Sequence, residues 1–272
     1  MKLPRPKLQP AKLPPLPRRK YRAVIAYDGT TYAGWQRQGN ALAIQQVVEE
    51  VLTYLDDTGE EVRVYGSSRT DSGVHAKGFV AHFSMTKPIP PDRLVRAVNA
   101  RLPEAVRFLK ASYAPDGFNA QLSACGKEYR YQIYQGDIMP PHLVPYWTYE
   151  FHRLDLEAMR KAAQYFVGEH DFRSFAGVCP VVLRNSVREV YSCEIKKAGH
   201  RYTIIVRGGG FLYKQVRSMV GFLISVGRGA EKPEAVKELL EAATPRTARV
   251  ETAPARGLFL WKVFYKPLRK DS

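Results

Sequence analysis

Acid is scarce in this chain: 26 Asp and Glu stand against 42 Lys and Arg in 272 residues, a formal net charge of +16. Such a surplus favours association with phosphate backbones or anionic surfaces. Long apolar runs are also missing, and no stretch approaches the roughly 20 residues that span a bilayer. Nucleic acid is therefore expected as the partner, with no membrane. Cysteine is limited to Cys125, Cys179 and Cys193. They are odd in number, widely spaced and form no CxxC pair, which argues against a disulfide framework or a zinc site. Reduced, mostly buried thiols of a cytoplasmic protein are expected instead. The six histidines make no HExxH or comparable pairing, so no metal is expected. The run Gly208-Gly209-Gly210 precedes a helical pattern without the GxxxxGKS/T signature of a nucleotide site. It reads as a strand end where backbone approaches a neighbour closely.

What is present is enough to build a core, at 45% hydrophobic and 11% aromatic residues, in one large domain or two modest ones. Residues 1–20, MKLPRPKLQPAKLPPLPRRK, hold seven basic residues, six prolines and no acid. They lack the apolar stretch of a secretory signal and read as an extended, polyproline-like basic arm, a solubilising tail or an auxiliary RNA contact. Nine of the sixteen net charges remain on the rest of the chain, so the folded part is basic in its own right.

Hydrophobic periodicity predicts a strand at Tyr21 to Tyr27 and a turn in DGTTYAGW. It then predicts a helix carrying Ile44, Val47, Val48, Val51, Leu52 and Leu55 on one face. Short strands at Val62 to Tyr65 and Phe79 to Phe83 follow, with SSRTDSGVHAKG as the loop between them. A helix at Asp92 to Leu102 and a strand at Val106 to Tyr113 complete the first half. The second half repeats that order. It has a strand near Glu128 to Tyr134, a helix near Leu156 to Val167, a hairpin at Val187 to Ile195 and Tyr202 to Val206, helices at Val216 to Val226 and Ala235 to Leu240, and a strand at Leu258 to Tyr265. Each half spells the split-βαβ arrangement. The expected fold is α+β, two ferredoxin-like subdomains (21–115 and 116–267, then a tail at 268–272) with sheets joined side by side. Split-βαβ units carry helices on one face, so the two bare faces are expected to form one broad surface for RNA.

Asp71 is the residue that carries chemistry. Local pattern alone favours a surface turn, since Asp-Ser-Gly is common turn chemistry and Arg69 could be an ion partner. On a functional reading, Arg69 keeps Asp71 ionised, ready to serve as a nucleophile or an electrostatic stabiliser. No second acid is near in sequence, so a two-carboxylate glycosidase pair is not indicated.

The stretches YDGTTYAGWQRQ, GSSRTDSGVHAKGFVAHF, FNAQLSACGKEYRYQIY, GEHDFRSFA, GGGFLYKQVRSMVGFLISVGRG and APARGLFLWKV occur in this order between about residues 21 and 266. Together they resemble the TruA family of tRNA pseudouridine synthases. The resemblance implies an isomerase that converts uridine to pseudouridine at tRNA positions 38, 39 and 40, in the anticodon stem-loop, with no cofactor and as a homodimer. It implies Asp71 as the catalytic residue, with Arg69 beside it and Arg217 as its partner. It also implies Tyr129 packed against the target base and Leu258 as an apolar pocket wall. Ser67 and Ser68 stand where the family usually has glycine or alanine. From residues alone, a non-catalytic RNA-binding module and a base-releasing glycosylase remain the competing readings.

Overall fold

The computed structural model describes residues 17–178 and 185–267. Residues 1–16 of the arm, Cys179 and the 268–272 tail lie outside the described residues. The first half runs β1 (Arg19–Tyr27), α1 (Ile44–Asp56), β2 (Val64–Gly66), β3 (His75–Met85), α2 (Pro91–Asn99) and β4 (Val106–Tyr113). The second runs β5 (Gly126–Gln135), β6 (Thr148–Glu150), α3 (Leu156–Gln164), β7 (Gly168–Asp171), β8 (Val187–Ala198), β9 (Arg201–Gly208), α4 (Gln215–Gly227), α5 (Ala235–Ala242) and β10 (Leu258–Phe264).

The helices form where an apolar stripe coincides with a workable start. In α1, Ile44, Val47, Val48 and Leu52 are buried, and Val51 and Leu55 pack partly buried beside them. Pro91 opens α2, where its fixed φ suits the first turn and its missing donor costs nothing. Asp155 caps α3 by accepting from the Ala158 amide, satisfying a donor that the helix leaves free. In β1, Tyr21, Ala23, Ile25 and Tyr27 are buried and alternate with partly exposed residues, the period of a strand with one covered face.

All strands belong to one sheet in the order β4-β1-β3-β10-β5-β9-β8-β7, with β2 on β3 and β6 on β5. Within each half the split-βαβ order holds: β4-β1-β3-β2, then β10-β5-β9-β8. The halves meet where β10 lies parallel to the start of β3, pairing Phe259 with His75 and Leu260 with Ala76. The fold is thus the expected α+β sheet of two joined split-βαβ halves.

Three expectations change. The arm does not extend to residue 20, because Arg19 and Lys20 already pair with Met85 and Ser84. Residues 75–78, expected in the loop, are strand: His75 and Ala76 pair with Phe259 and Leu260 of β10, far along the chain, and Ala76 also pairs with Tyr27 of β1. The short strands β6 and β7 were not expected; three and four residues are too few for a periodic signal. Of the two described thiols, Cys193 is buried, as expected, and Cys125 only partly so. Burial pushes the Cys193 thiol up to about 12, so it is inert at neutral pH.

The sheet face away from the helices is partly covered. Phe118, in the connection between halves, packs on Tyr265, and the Arg22 guanidinium lies over both rings. His82 on the same face accepts from the Ala120 amide at 3.1 Å. At the seam, buried His75 accepts from the Gly29 amide at Nδ1, and its Nε2 faces the Pro145 and Arg256 carbonyls, each contact 3.1 Å. Burial lowers the pKa of both histidines; the Lys20 charge adds to this for His82, and Asp28 opposes it for His75. Below about pH 6.5 the unfolded chain therefore binds protons that the folded chain refuses, and stability falls as pH falls. Thermal melts should show Tm decreasing as pH drops from about 7.5 to about 5.5; a flat profile would contradict these assignments.

Candidate active site

The connection between β2 and β3 is fixed residue by residue. Ser67 continues the ladder, its amide donating to the Val80 carbonyl at 2.8 Å. Thr70 is buried; its hydroxyl meets the Tyr27 hydroxyl at 2.9 Å and its carbonyl accepts from the Trp35 amide at 3.2 Å. Asp71 then starts a turn in which its carbonyl accepts from the Val74 amide at 3.1 Å. Gly73 takes the left-handed φ of +75° that the third residue of a type II turn requires. The Ser72 hydroxyl and the Gly73 amide both donate to the Tyr32 carbonyl. The segment DGTTYAGW is therefore the bed on which the Asp71 turn rests. It approaches the turn most closely at its two glycines, where a Cβ would lie 2.1 Å from the Val74 carbonyl oxygen at Gly29 and 2.2 Å from the Thr70 carbonyl oxygen at Gly34.

The structure brings Arg217, in the first turn of α4, to the carboxylate: Nη1 donates to Asp71 Oδ2 at 2.7 Å. Both side chains are largely withdrawn from solvent, 13% and 20% exposed for Arg217 and Asp71, so the pair is screened less than a surface pair. Arg217 is aimed by its own anchors. Its Nε donates to the Ala253 carbonyl at 2.8 Å, and its carbonyl accepts from the Ala253 amide at 3.0 Å. The ion partner suggested by sequence proximity, Arg69, is exposed and makes no ion pair with Asp71 among the described residues. Spacing in sequence therefore did not make the pair: Arg69 stays exposed, while Asp71 is partly buried against Arg217.

Tyr129 lies on β5 beside the Asp71 turn, 6% exposed. Its hydroxyl is 3.2 Å from the Ser68 hydroxyl, and its ring stands edge-on to Phe211 with centroids 5.3 Å apart. Burial, opposed by the Ser68 bond and assisted by the Asp71 charge, pushes its pKa up to about 12. It is a neutral phenol at physiological pH. Leu258 begins β10 opposite Tyr131 and is buried apart from its contact with the cleft.

All five residues singled out from sequence line one cleft of about 1460 Å³, larger than the 300–1,000 Å³ usual for a small-molecule site. It opens between Gln45 and Glu49 of α1 and Gln215 to Arg217 of α4, with Tyr129 and Leu258 on its floor. The cleft thus opens on the helix side of the sheet rather than on the helix-free face. The helices of the two halves stand apart at the seam and leave the gap, whereas the opposite face is partly filled by Phe118 and Tyr265. Six basic side chains line the cleft against three acids, so it remains positive with Asp71 paired. No group of three His, Cys, Asp or Glu suited to a metal occurs among the described residues. Gly34, Ser68, Phe211 and Lys127 were missed from sequence. Only the glycine carried a signal, and that signal read as a turn.

Fold and site define a class: an α+β protein with a largely withdrawn, arginine-paired aspartate in a basic cleft. The chain belongs to the tRNA pseudouridine synthase family, whose model matches residues 23–121 and 162–266. It is 45% identical over 247 residues to tRNA pseudouridine synthase A of Syntrophotalea carbinolica, covering 90% of this chain and 96% of that one. It is 40% identical over 246 residues to the protein of the same name from Bacillus pumilus, covering 90% and 99%. To tRNA pseudouridine synthase A 2 of Clostridium perfringens it is 41% identical over 248 residues, covering 91% and 100%.

Gly34 provides a test of the bed that holds Asp71. Gly34→Ala needs a left-handed φ of +84° and places a methyl against backbone, so the turn must shift. Loss of about 100-fold in kcat for uridine isomerisation is expected from a shift of about 1 Å. Unchanged turnover would show that the bed does not position the carboxylate.

Proposed function

We propose that this chain isomerises uridine to pseudouridine at positions 38, 39 and 40 in the anticodon stem-loop of tRNA, with Asp71 as catalytic nucleophile or base. The observation that carries this reading is the Asp71–Arg217 pair, closed at 2.7 Å beside the Tyr129 ring in a basic cleft. The reaction breaks the N1–C1′ bond, turns the uracil, joins C5 to C1′, and moves a proton from C5 to N1. Product and substrate have the same atoms and oxidation state, so the chemistry asks for no cofactor. It asks for one ionised carboxylate, a surface for the detached base and shelter from water.

Each residue has a part. Arg217 holds Asp71 pointed at the sugar, and the Ala253 carbonyl keeps Arg217 from following the substrate. Attack at C1′, addition to C6 of the base and removal of the C2′ proton each need that same carboxylate. The uracil rests against Tyr129, and the high phenol pKa keeps a negative charge away from Asp71. Leu258 closes the apolar wall. Extruding a stacked uridine costs a few kcal/mol, which phosphate contacts with exposed cations such as Arg69 offset. Recognition through backbone contacts to a shaped RNA suits action on neighbouring uridines.

Tritium release from tRNA labelled at uracil C5 tests the chemistry: wild type releases it and Asp71→Ala does not, while the RNA keeps all its bases. Equal release by the variant overturns the role of Asp71, and appearance of free uracil overturns isomerisation.

A homodimer working in the cytoplasm is part of the same proposal, with one anticodon arm held between subunits. Free thiols at Cys125 and Cys193 and a described chain without any helix long and apolar enough to cross a membrane are in keeping with this. Light scattering should give a solution mass about twice the 30.8 kDa of the chain. A mass of one chain at working concentration overturns the dimer.

A further inference from the structure

We propose that Lys127 is a phosphate-binding residue of this cleft, holding the RNA backbone beside the extruded uridine whose base lies against Tyr129. The inference rests on the function proposed above and extends it. Lys127 stands two residues before Tyr129 on β5, so its side chain leaves the same face of the sheet about 7 Å along the strand. It lines the same cleft as Asp71 and Tyr129. Its partner on β9 is Gly208, which has no side chain to compete for the space. A Cβ there would be 2.9 Å from the Phe211 ring, the ring that also supports Tyr129. On its other side Lys127 pairs with buried Val263. The lysine stem thus runs over apolar surface, and burial lowers the pKa of its ammonium.

An ammonium in such a place ordinarily has an anion, because an uncompensated charge withdrawn from water costs free energy. Lys127 has none: among the described residues its Nζ makes no hydrogen bond or ion pair, and Glu128 and the acids lining the cleft are committed elsewhere. Glu128 points to the opposite face and accepts from Arg130 at 2.7 Å and Arg207 at 2.8 Å. Asp71 is held by Arg217, and Glu49 and Glu61 by Arg37. The missing anion is therefore the substrate's. A compact ammonium suits a phosphate oxygen as a point charge, and its place on the strand puts it one sugar's length from a base lying against Tyr129. Arg69, on the exposed part of the cleft, adds to the same field but keeps its hydration.

The test uses purified tRNA and the full chain. Each phosphate neutralised contributes about 0.7 to 0.9 to the slope of log affinity against log salt. Lys127→Met should weaken tRNA binding and lower that slope by about this amount, so its deficit shrinks about threefold between roughly 50 and 200 mM salt. Lys127→Arg should restore the slope. A role in packing alone weakens binding without changing the slope, and an unchanged slope overturns the proposal. Acylation of Lys127 in the wild-type chain, followed by mass spectrometry, needs no variant: tRNA should slow it, and equal labelling with and without tRNA also overturns the proposal. Either outcome in an enzyme that still makes pseudouridine removes only Lys127. A wild type that makes none removes the function on which the inference rests.

Discussion

Two pairs of residues, Phe259 beside His75 and Leu260 beside Ala76, join the halves of this sheet as its central parallel ladder, and the site depends on them. Asp71 lies four positions before His75, and Leu258 one before Phe259, so the seam sets how the Asp71 turn faces the second half. It exists because β2 is only three residues long and pairs with the far end of β3, Ala81 to Phe83, leaving the near end free for β10. His75 reinforces the join from within. Its ring stacks on Phe259 with centroids 4.6 Å apart, and its nitrogens reach backbone from the first half, from Pro145 and from Arg256. A slip of one residue would send every side chain of β10 to the opposite face, taking Leu258 out of the cleft.

The charge distribution follows from the same geometry. A chain with sixteen surplus positive charges holds Asp71 in its cleft by giving it an arginine whose other contacts are to backbone. Removing a pair this far from water is costly unless its hydrogen bonds are complete. The Ala253 carbonyl completes those of Arg217, and the Asp71 turn is pinned through Tyr32 and Trp35. Of the remaining cations of the cleft, Arg37 and Arg63 pair with Glu49 and Glu61, while Arg69, Lys127 and Lys214 make no ion pair among the described residues.

Much of this was legible in the chain itself. The α1 stripe, the alternation in β1 and the doubled β-α-β-β-α-β order are local signals, and local signals survive in one dimension. Asp71 was singled out by its turn and by the ordered family stretches around it. Arg69 was the natural ion partner on spacing alone, but a helix residue 146 positions away in the chain decided for Arg217. The strand character of residues 75–78 was hidden because their partners come from β10. The side of the sheet on which the cleft opens was hidden too, since it depends on where α1 and α4 start relative to the seam.

The amino-acid sequence by itself determined the class of fold, the surplus of positive charge, the family and the identity of the acid, because each is written in composition, period or contiguous residues. Tertiary structure alone decided which arginine holds that acid, which segment supports its turn, which face carries the cleft and which lysine is left without an anion. The physical reason is range: hydrogen bonds, ion pairs and desolvation act over a few ångströms in space, and the residues they join here lie up to nearly two hundred positions apart along the chain.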